Sequence, residues 1–312
     1  MNTLIIKFIP IVVTIFIGYL IRRFFLIKKD TINEFKILII NIGLPSILFL
    51  TFVKSEMDVK YLFLFSGIFI FCLTLFFIGI FFKKTKLLAF SFSPFFITGF
   101  EFGMIGVALF TSIFGIENLY VIALIALGHE VFIWFVYFPL LKKRDNISLS
   151  GIFISFLKSP IIIAIILAIF LNVTGLYSVL MQNTIFKGIE ESLKLLSSIV
   201  VPLILLTVGY SINFQNVRFP LTFKYLAVRI LVISILGSIF YFIFKRLITN
   251  LPPLFLYAYI TFIILPPPFI LPLFIKNEFE DQITFFNNSI LIYTLLSFLV
   301  FFLFLLFKFN AL

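Results

Sequence analysis

The sequence predicts an all-α integral membrane protein that crosses the bilayer with about ten helices. Of its 312 residues, 62% are hydrophobic and only 12% are charged, and the mean hydropathy is +1.25. Soluble domains contain roughly 25% charged residues because they need a polar exterior. The apolar runs are long and continuous, whereas a transmembrane β-barrel alternates apolar and polar residues over about ten positions. Composition and run length therefore indicate a helical membrane protein, with the lipid bilayer as its first partner.

Ten apolar runs have lengths close to the roughly 20 residues that cross a hydrocarbon core of about 30 Å. In chain order they are Thr3–Ile21, Phe35–Val53, Tyr61–Phe82, Leu87–Phe114, Leu119–Leu141, Ile152–Leu171, Ile189–Ile212, Thr222–Phe244, Leu254–Ile275 and Ile283–Phe307. The first run has no short apolar region with a small-residue cleavage site after it. We therefore expect a retained span and not a signal peptide.

Lysine and arginine predict how the spans are oriented. Fifteen of the 24 lie in or beside the odd-numbered loops: Arg22, Arg23, Lys28, Lys29, Lys36, Lys83, Lys84, Lys86, Lys142, Lys143, Arg144, Lys158, Arg218, Lys224 and Lys276. Eight lie on the side of the two termini: Lys7, Lys54, Lys60, Lys187, Lys194, Lys245, Arg246 and Lys308. Because cytoplasmic loops are enriched in these residues, both termini are expected outside the cytoplasmic membrane.

The same composition narrows the function classes. We find no basic patch with interleaved polar side chains, so no nucleic-acid partner is expected. The single cysteine, Cys72, excludes a disulfide framework and a cysteine metal cluster. Neither a metal nor a cofactor is therefore expected. The short loops contain no GxSxG, HExxH or P-loop motif, so an enzyme is not expected either.

Residues 1–145 and 146–312 are predicted to be two five-helix repeats. Pro45 in span two and Pro202 in span seven are each followed two and three residues later by Ile and Leu. Spans one and six also contain prolines at corresponding places. Ile and Leu are abundant enough for one such pair to arise by chance, but several pairs in the same order are harder to dismiss. An odd number of spans per repeat inverts the second copy, as in many secondary transporters.

Spans four and nine form the third pair, and both are predicted to be broken helices. As one helix, the roughly 28 residues of span four would measure about 42 Å, well over the hydrocarbon thickness. Glycine accepts unusual backbone angles, and proline removes a backbone donor. The predicted breaks are at Gly99, Gly103 and Gly106 in span four and at Pro266, Pro267 and Pro268 in span nine. Two broken helices in corresponding places predict a solute site near the bilayer midplane.

Glu101 is a carboxylate within the apolar run of span four. An ionised carboxylate at mid-membrane costs about 2.5–3.5 kcal/mol on insertion scales, so it should face a wet cavity, pair with another group or be protonated. Desolvation favours the neutral form, which would let Glu101 take up and release a proton. The alternative is a neutral acid that ties helix backbones together.

Other polar residues admit two interpretations each. Histidine is easily switched near neutral pH, yet a pair of His129 with Glu130 or with Glu101 that holds spans together is equally compatible. Asn41, one turn before Pro45, could bind a solute or cap backbone at the kink. Arg229 could pair with an anion or snorkel to the interface. The candidate solute- or proton-binding residues are Glu101, Gly103, Gly106, Asn41, Pro45, His129, Glu130, Pro202, Pro266, Pro267 and Pro268.

Five segments in order give the chain a family resemblance. They are NIGLPSILF in span two, GFEFGMIGVALFTSIFG in span four, SPIIIAIILAIFLNVTGL in span six, VPLILLTVGYSI in span seven and the prolines of span nine. Over nearly its whole length the chain resembles the auxin efflux carrier family, which includes plant auxin exporters and bacterial permeases associated with malate and malonate. The resemblance implies ten spans in two inverted repeats, with broken helices that cross in spans four and nine. It also implies an elevator-type carrier of organic anions and a homodimer. Where the family commonly has Asn before a GxP crossing, this chain has Glu101 and, at the proline place, Ala108.

The expected function is secondary active transport of a small organic solute, a weak organic acid, by elevator-like alternating access. Proton coupling through Glu101 is a hypothesis. The alternatives are a membrane-embedded enzyme and a passive channel. Saturable, exchangeable transport would separate a carrier from both.

Overall fold

In the computed structural model, all regular secondary structure of the described residues is helical. The structure describes residues 2–55, 61–85, 87–142, 154, 157–212, 217–248, 250–273, 275 and 279–309. Its α-helices are α1 (Asn2–Arg23), α2 (Lys29–Leu38), α3 (Leu44–Val53), α4 (Tyr61–Lys84), α5 (Ser93–Ile97), α6 (Val107–Phe114), α7 (Leu119–Phe132), α8 (Phe138–Lys142), α9 (Pro160–Val173), α10 (Leu176–Leu180), α11 (Thr184–Ser198), α12 (Val200–Ser211), α13 (Phe219–Leu247), α14 (Phe255–Ile263), α15 (Ile270–Leu273) and α16 (Glu280–Phe309). Three π-helices, Ile39–Gly43, Phe102–Gly106 and Ile133–Tyr137, and a 3₁₀ turn, Ile116–Asn118, lie among them.

Seven helical runs among the described residues are long and apolar enough to cross a membrane, which confirms a multi-pass helical membrane protein. They are Lys29–Val53, Tyr61–Lys84, Ser93–Phe114, Ile116–Leu141, Thr184–Ser211, Phe219–Leu247 and Glu280–Phe307. The three remaining predicted spans coincide with α1, with the 14-residue α9 and with the broken pair α14 and α15. The count of ten stays a prediction, as do the two repeats, whose boundary at 145/146 lies outside the described residues.

The chain forms two compact units, each assembled from both halves of the sequence. The first unit comprises Met1–Asp58, Val107–Ala123 and Ile154–Ile212. The second comprises Val59–Gly106, Leu124–Phe153 and Asn213–Leu312. Each unit therefore takes segments from both predicted repeats. The predicted breaks of spans four and nine both belong to the second unit.

In the first unit, α1 and α12 pack closely because each contributes a glycine. A Cβ on Gly18 would clash with the backbone carbonyl of Leu206, and a Cβ on Gly209 would clash with that of Ile15. Small residues that let helix backbones approach are a common basis of packing in membranes, where no hydrophobic effect drives helices together.

Three long polar side chains of the first unit donate to carbonyl groups near helix ends, where such groups lack helical partners. Lys7 donates from Nζ to the carbonyl of Ile113 at 2.6 Å, near the end of α6. Arg22, at the end of α1, donates to the carbonyl of Tyr210 at 3.2 Å, near the end of α12. Asn172, at the end of α9, donates from Nδ2 to the last carbonyls of α3 at 2.9 and 3.0 Å.

A small polar cluster lies beside the ends of α3 and α9 and the start of α11. Glu190 accepts from Nζ of Lys54 at 2.6 Å and from the hydroxyl of Tyr177 at 2.6 Å. Burial and the hydrogen bond to Glu190 raise the pKa of the Tyr177 phenol. Tyr177 therefore stays protonated and donates to the carboxylate at neutral pH.

These end-to-end contacts give the relative directions of the helices in the first unit. The start of α1 meets the end of α6, whereas the end of α1 meets the end of α12. The ends of α3 and α9 meet each other, and the end of α3 meets the start of the α11–α12 run. Helices α1 and α12 therefore run one way, and α3, α6 and α9 run the opposite way.

Aromatic side chains fill the second unit. Phe71, Phe96, Phe100, Phe262 and Phe286 are among its fully buried side chains. Rings of this kind stack edge to face with their neighbours and bury large apolar areas. Phe100 lies in the span-four break and Phe262 lies just before the span-nine break, and their ring centroids are 4.7 Å apart.

Candidate functional site

Span four breaks between Ile97, where α5 ends, and Phe102, where the π-helix begins. Gly99 permits the break, because its φ of +77° lies in the left-handed region that other residues rarely adopt. A Cβ on Gly99 would also lie only 2.8 Å from Cγ of Pro268. The break in span four therefore requires glycine at position 99.

Gly103 and Gly106 were predicted at the break, but they lie inside the π-helix that follows it. Among the three glycines of span four, only Gly99 has a positive φ, and one such residue is enough to redirect the chain. Gly106 serves close packing instead, since a Cβ there would lie 2.9 Å from Cδ1 of Leu265 in the other broken span. The prediction of the break was right, and its position was wrong for these two residues.

Span nine breaks between Ile263, where α14 ends, and Ile270, where α15 begins. The three predicted residues, Pro266, Pro267 and Pro268, lie in the break and are buried. The N–H of Glu101 donates to the carbonyl of Pro266 at 2.9 Å. The two broken spans therefore meet at their breaks, within one compact unit.

Arg229 satisfies carbonyl groups that the two breaks release. It lies on α13 and is fully buried, with 0% of its surface exposed. Its Nη1 donates to the carbonyls of Phe96 and Ile97 at 2.6 and 2.8 Å. Its Nη2 donates to those of Gly99 and Leu265 at 2.8 and 3.2 Å. Helix C-terminal carbonyls have partial negative charge, so one planar guanidinium serves both broken helices at once.

The sequence analysis did not predict that Arg229 caps the broken helices. Snorkelling was one of two expectations, and it is wrong because the whole side chain is buried. The guanidinium lies 5.1 and 5.2 Å from the ring centroids of Phe100 and Tyr293, a cation–π arrangement. The depth of Arg229 in its span was the available signal, since an intramembrane charge is a functional candidate by default.

His129 caps the other side of the span-four break. Its Nε2 accepts the N–H of Phe100 at 2.9 Å, so this nitrogen has no proton in the arrangement observed. Its Nδ1 lies 3.4 Å from Oε1 of Glu130, the neighbouring residue on α7. The imidazole therefore serves as an acceptor for a backbone N–H group that the break has freed.

Glu101 joins the two breaks through its carboxylate. Oε2 accepts the N–H of Phe269 at 2.7 Å, and Oε1 accepts the N–H of Met104 at 3.4 Å. The side chain is half-buried. Hydrogen bonds to an ionised acceptor are roughly twice as strong as neutral ones. The carboxyl group of Glu101 therefore links span four to span nine, most strongly when it is ionised.

Arg229 and Glu101 thus satisfy complementary backbone groups at the breaks. The guanidinium of Arg229 donates to carbonyls of both broken spans, and the carboxyl group of Glu101 accepts from N–H groups of both. Backbone at membrane depth must find internal partners because lipid offers none. Main-chain hydrogen bonds to Arg229 and Glu101 therefore hold the two breaks together.

The remaining candidates belong to the first unit. Asn41 is exposed and lies in the π-helix Ile39–Gly43, just before Pro45, which is half-buried at the start of α3. Pro202 is exposed on α12. The structure therefore brings Glu101, Gly106, His129 and the three prolines of span nine together with Arg229, and places Asn41, Pro45 and Pro202 in a different compact unit.

No known protein family and no curated protein matches this chain. Within the described ranges, no group of three His, Cys, Asp or Glu side chains could hold a metal ion.

Proposed function

We propose that the protein is a secondary carrier that moves a small organic solute across the cytoplasmic membrane by alternating access. The main support is Glu101, a half-buried carboxylate bound to N–H groups of two broken spans. Broken helices that meet at membrane depth are a recurring feature of transporter binding sites. A weak organic acid is the first solute to test, because the family resemblance implies an organic anion.

A proton is the proposed coupling ion. Protonation would remove the negative charge of Glu101. The hydrogen bonds that Glu101 accepts from the N–H groups of Met104 and Phe269 would then weaken, because charge-assisted hydrogen bonds are the stronger ones. Proton uptake would then loosen the link between spans four and nine. Solute binding and protonation would both act on the Glu101 link between spans four and nine. Coupling requires two binding events that bias the same structural equilibrium.

The ten-span, inverted-repeat fold and membership of the auxin efflux carrier family are part of the proposal. The alternating helix directions of the first unit support the span count. The second unit contains both breaks and is the candidate mobile body of an elevator-like cycle. The proposal also includes a homodimer, which the family resemblance implies. It places both termini outside, as the loop charges predict.

Uptake into liposomes tests the proposal. The purified full-length chain would be reconstituted and offered labelled mono- and dicarboxylic acids with and without an imposed pH gradient. Saturable uptake that follows the gradient in wild type, and loses its pH dependence in Glu101→Gln, is expected. Glu130→Gln is the matched control, since Glu130 contacts His129 and not the amides that Glu101 binds.

Two results would count against the proposal. Non-saturating flux would indicate a channel, and chemical conversion of the solute would indicate an enzyme. Retained pH dependence in Glu101→Gln would remove Glu101 as the coupling residue while leaving carrier activity in place.

A further inference from the structure

The geometry points to Glu101 as a tethered ligand: its carboxylate occupies a site for a small monocarboxylate anion, formed by the backbone N–H groups of Met104 and Phe269. This inference deepens the proposed function and rests on it for its physiological meaning. A solute anion can bind only when Glu101 leaves the site, because the two N–H donors already have its carboxylate as an acceptor.

The two donors come from separate parts of the chain. Phe269 is 168 residues away from Glu101 in sequence, and Met104 lies in the π-helix that follows the break. Each donor belongs to a different broken span, yet both point at the oxygens of one carboxylate. A free carboxylate has the same two oxygens and the same charge, so it can make the same pair of bonds.

The charge around these donors also favours an anion. Arg229 is fully buried, and its guanidinium donates hydrogen bonds to neutral backbone carbonyls, two of them at Gly99 and Leu265 beside the breaks. Its Nε has no hydrogen-bond partner among the described residues. Neutral carbonyls leave the positive charge of the guanidinium in place. Once the carboxylate of Glu101 is gone, that charge favours any anion which reaches the breaks.

Among the side chains that the structure describes near the breaks, no second carboxylate contacts these amides. His129 accepts the N–H of Phe100, and Glu130 lies beside His129 at 3.4 Å. The hydroxyl of Tyr137 donates to the carbonyl of Phe95 at 3.2 Å. Tyr293 faces the guanidinium of Arg229. Glu101 is therefore the group that an incoming anion must replace.

The ionisation state of Glu101 determines when a solute anion can bind. While Glu101 is ionised and bound, a carboxylate anion meets both a filled site and a like charge. The anion can take the two N–H groups when Glu101 has accepted a proton from water and released them. Each anion bound then accompanies one proton, and the net charge at the breaks is unchanged.

Removal of the tethered carboxylate tests the inference directly. Full-length Glu101→Ala would be heated in detergent with sodium formate, and with sodium chloride at the same ionic strength. Unfolding can be followed by the fluorescence of Trp134, since the chain has one tryptophan. Formate that fills the vacated site should raise the Tm of Glu101→Ala by on the order of 2–4 °C over chloride.

Three controls sharpen the result. Wild type should show no formate-specific rise, because its own carboxylate fills the site. Glu101→Gln should show none, since the amide keeps the volume and an acceptor oxygen. Glu130→Ala, which removes another half-buried acid of the same unit, should also show none.

The outcomes separate this inference from the proposed function. A missing rise in Glu101→Ala, or an equal rise in Glu130→Ala, would overturn the tethered ligand whatever the liposome assay shows. A formate-specific rise without any solute uptake by wild type would retain the tethered ligand and reject the carrier. If Glu101→Ala does not fold, Glu101→Ser replaces it; folding that requires formate supports the inference, and misfolding of both variants with formate present contradicts it.

Discussion

At the scale of single residues, Arg229 has the largest predicted effect on stability. Arg229→Met would leave carbonyls of both broken spans buried without donors, and an unsatisfied buried group costs roughly 1–3 kcal/mol. Because four carbonyls are affected, we expect a loss of about 3 kcal/mol or more. Thermal unfolding of the purified variant measures it.

The control for Arg229 is Arg246→Met near the end of the same helix, where the side chain is exposed. It should leave the Tm within a degree or so, since exposed substitutions usually change stability by under about 0.5 kcal/mol. Arg229→Lys should fall between the two, because an ammonium lacks the planar fork that reaches two carbonyl pairs. Equal stability of Arg229→Met and Arg246→Met would refute the capping role.

Gly99 provides a second test at this scale. Gly99→Ala should destabilise the protein by roughly 1–3 kcal/mol, because alanine resists positive φ and its Cβ would press on Pro268. Gly188→Ala on α11 is the matched change, since nothing lies within 4 Å of a Cβ there. That control should be neutral or slightly stabilising, by at most about 1 kcal/mol. A Gly99→Ala protein as stable as Gly188→Ala would show that the break does not depend on glycine.

The sequence predicted the breaks better than it predicted what holds them. Proline triplets and glycines signal a break directly, because their effect on the backbone is local. The partners of the freed groups come from distant segments: Arg229 on α13 and His129 on α7. No local pattern links those residues to Gly99, so Arg229 remained one of several isolated charges.

At the scale of helices, the packing of α1 on α12 can be tested through its two glycines. Gly209→Ala should force the helices apart, because its Cβ would meet the carbonyl of Ile15. Backbone has little freedom to move away, so we expect a loss of about 1–3 kcal/mol, as for other overpacking. Thermal unfolding and resistance to limited proteolysis measure it, with Gly188→Ala again as the reference. Should Gly209→Ala match that reference, the close approach of α1 and α12 would be wrong.

The existence of helices was predictable, and their ends were less so. Long apolar runs such as Tyr61–Phe82 coincide with single helices because burial in lipid requires internal hydrogen bonds. The run Ile152–Leu171 is a 14-residue helix, Pro160–Val173, in the described part of the chain. Proline is favoured in the first turn of a helix, and this boundary follows from it. The π-helices had no signal that composition could provide.

At the scale of the whole molecule, division into compact units differs from division into repeats. Sequence similarity groups residues by descent, so it suggested 1–145 and 146–312. Packing groups residues by contact, and it assembles each unit from both halves. The proposed carrier uses both kinds of division. The inverted repeats would provide a symmetric pair of broken helices, and the compact units would provide bodies that can move during the transport cycle.

Span number is the last property that can be tested, and side-specific labelling decides it. Phe25, Glu117 and Lys187 are exposed and follow the first, fourth and sixth predicted spans. With ten spans, cysteines at 117 and 187 lie on one side of the membrane and a cysteine at 25 lies on the other. If only the seven long runs cross, positions 25 and 187 share a side and position 117 is opposite. The loop charges further predict that 117 and 187 are outside.

The measurement uses Phe25→Cys, Glu117→Cys and Lys187→Cys separately, with a membrane-impermeant maleimide on intact cells. Wild type is the blank, since its single cysteine, Cys72, is buried. Labelling of 117 and 187 in intact cells, and of 25 only after the membrane is opened, would support ten spans with both termini outside. Labelling of 25 together with 187 would instead leave α1, α9 and the α14–α15 pair as segments that do not cross, and the inverted repeats would then have to be abandoned, because a five-span copy could no longer be assembled from either half.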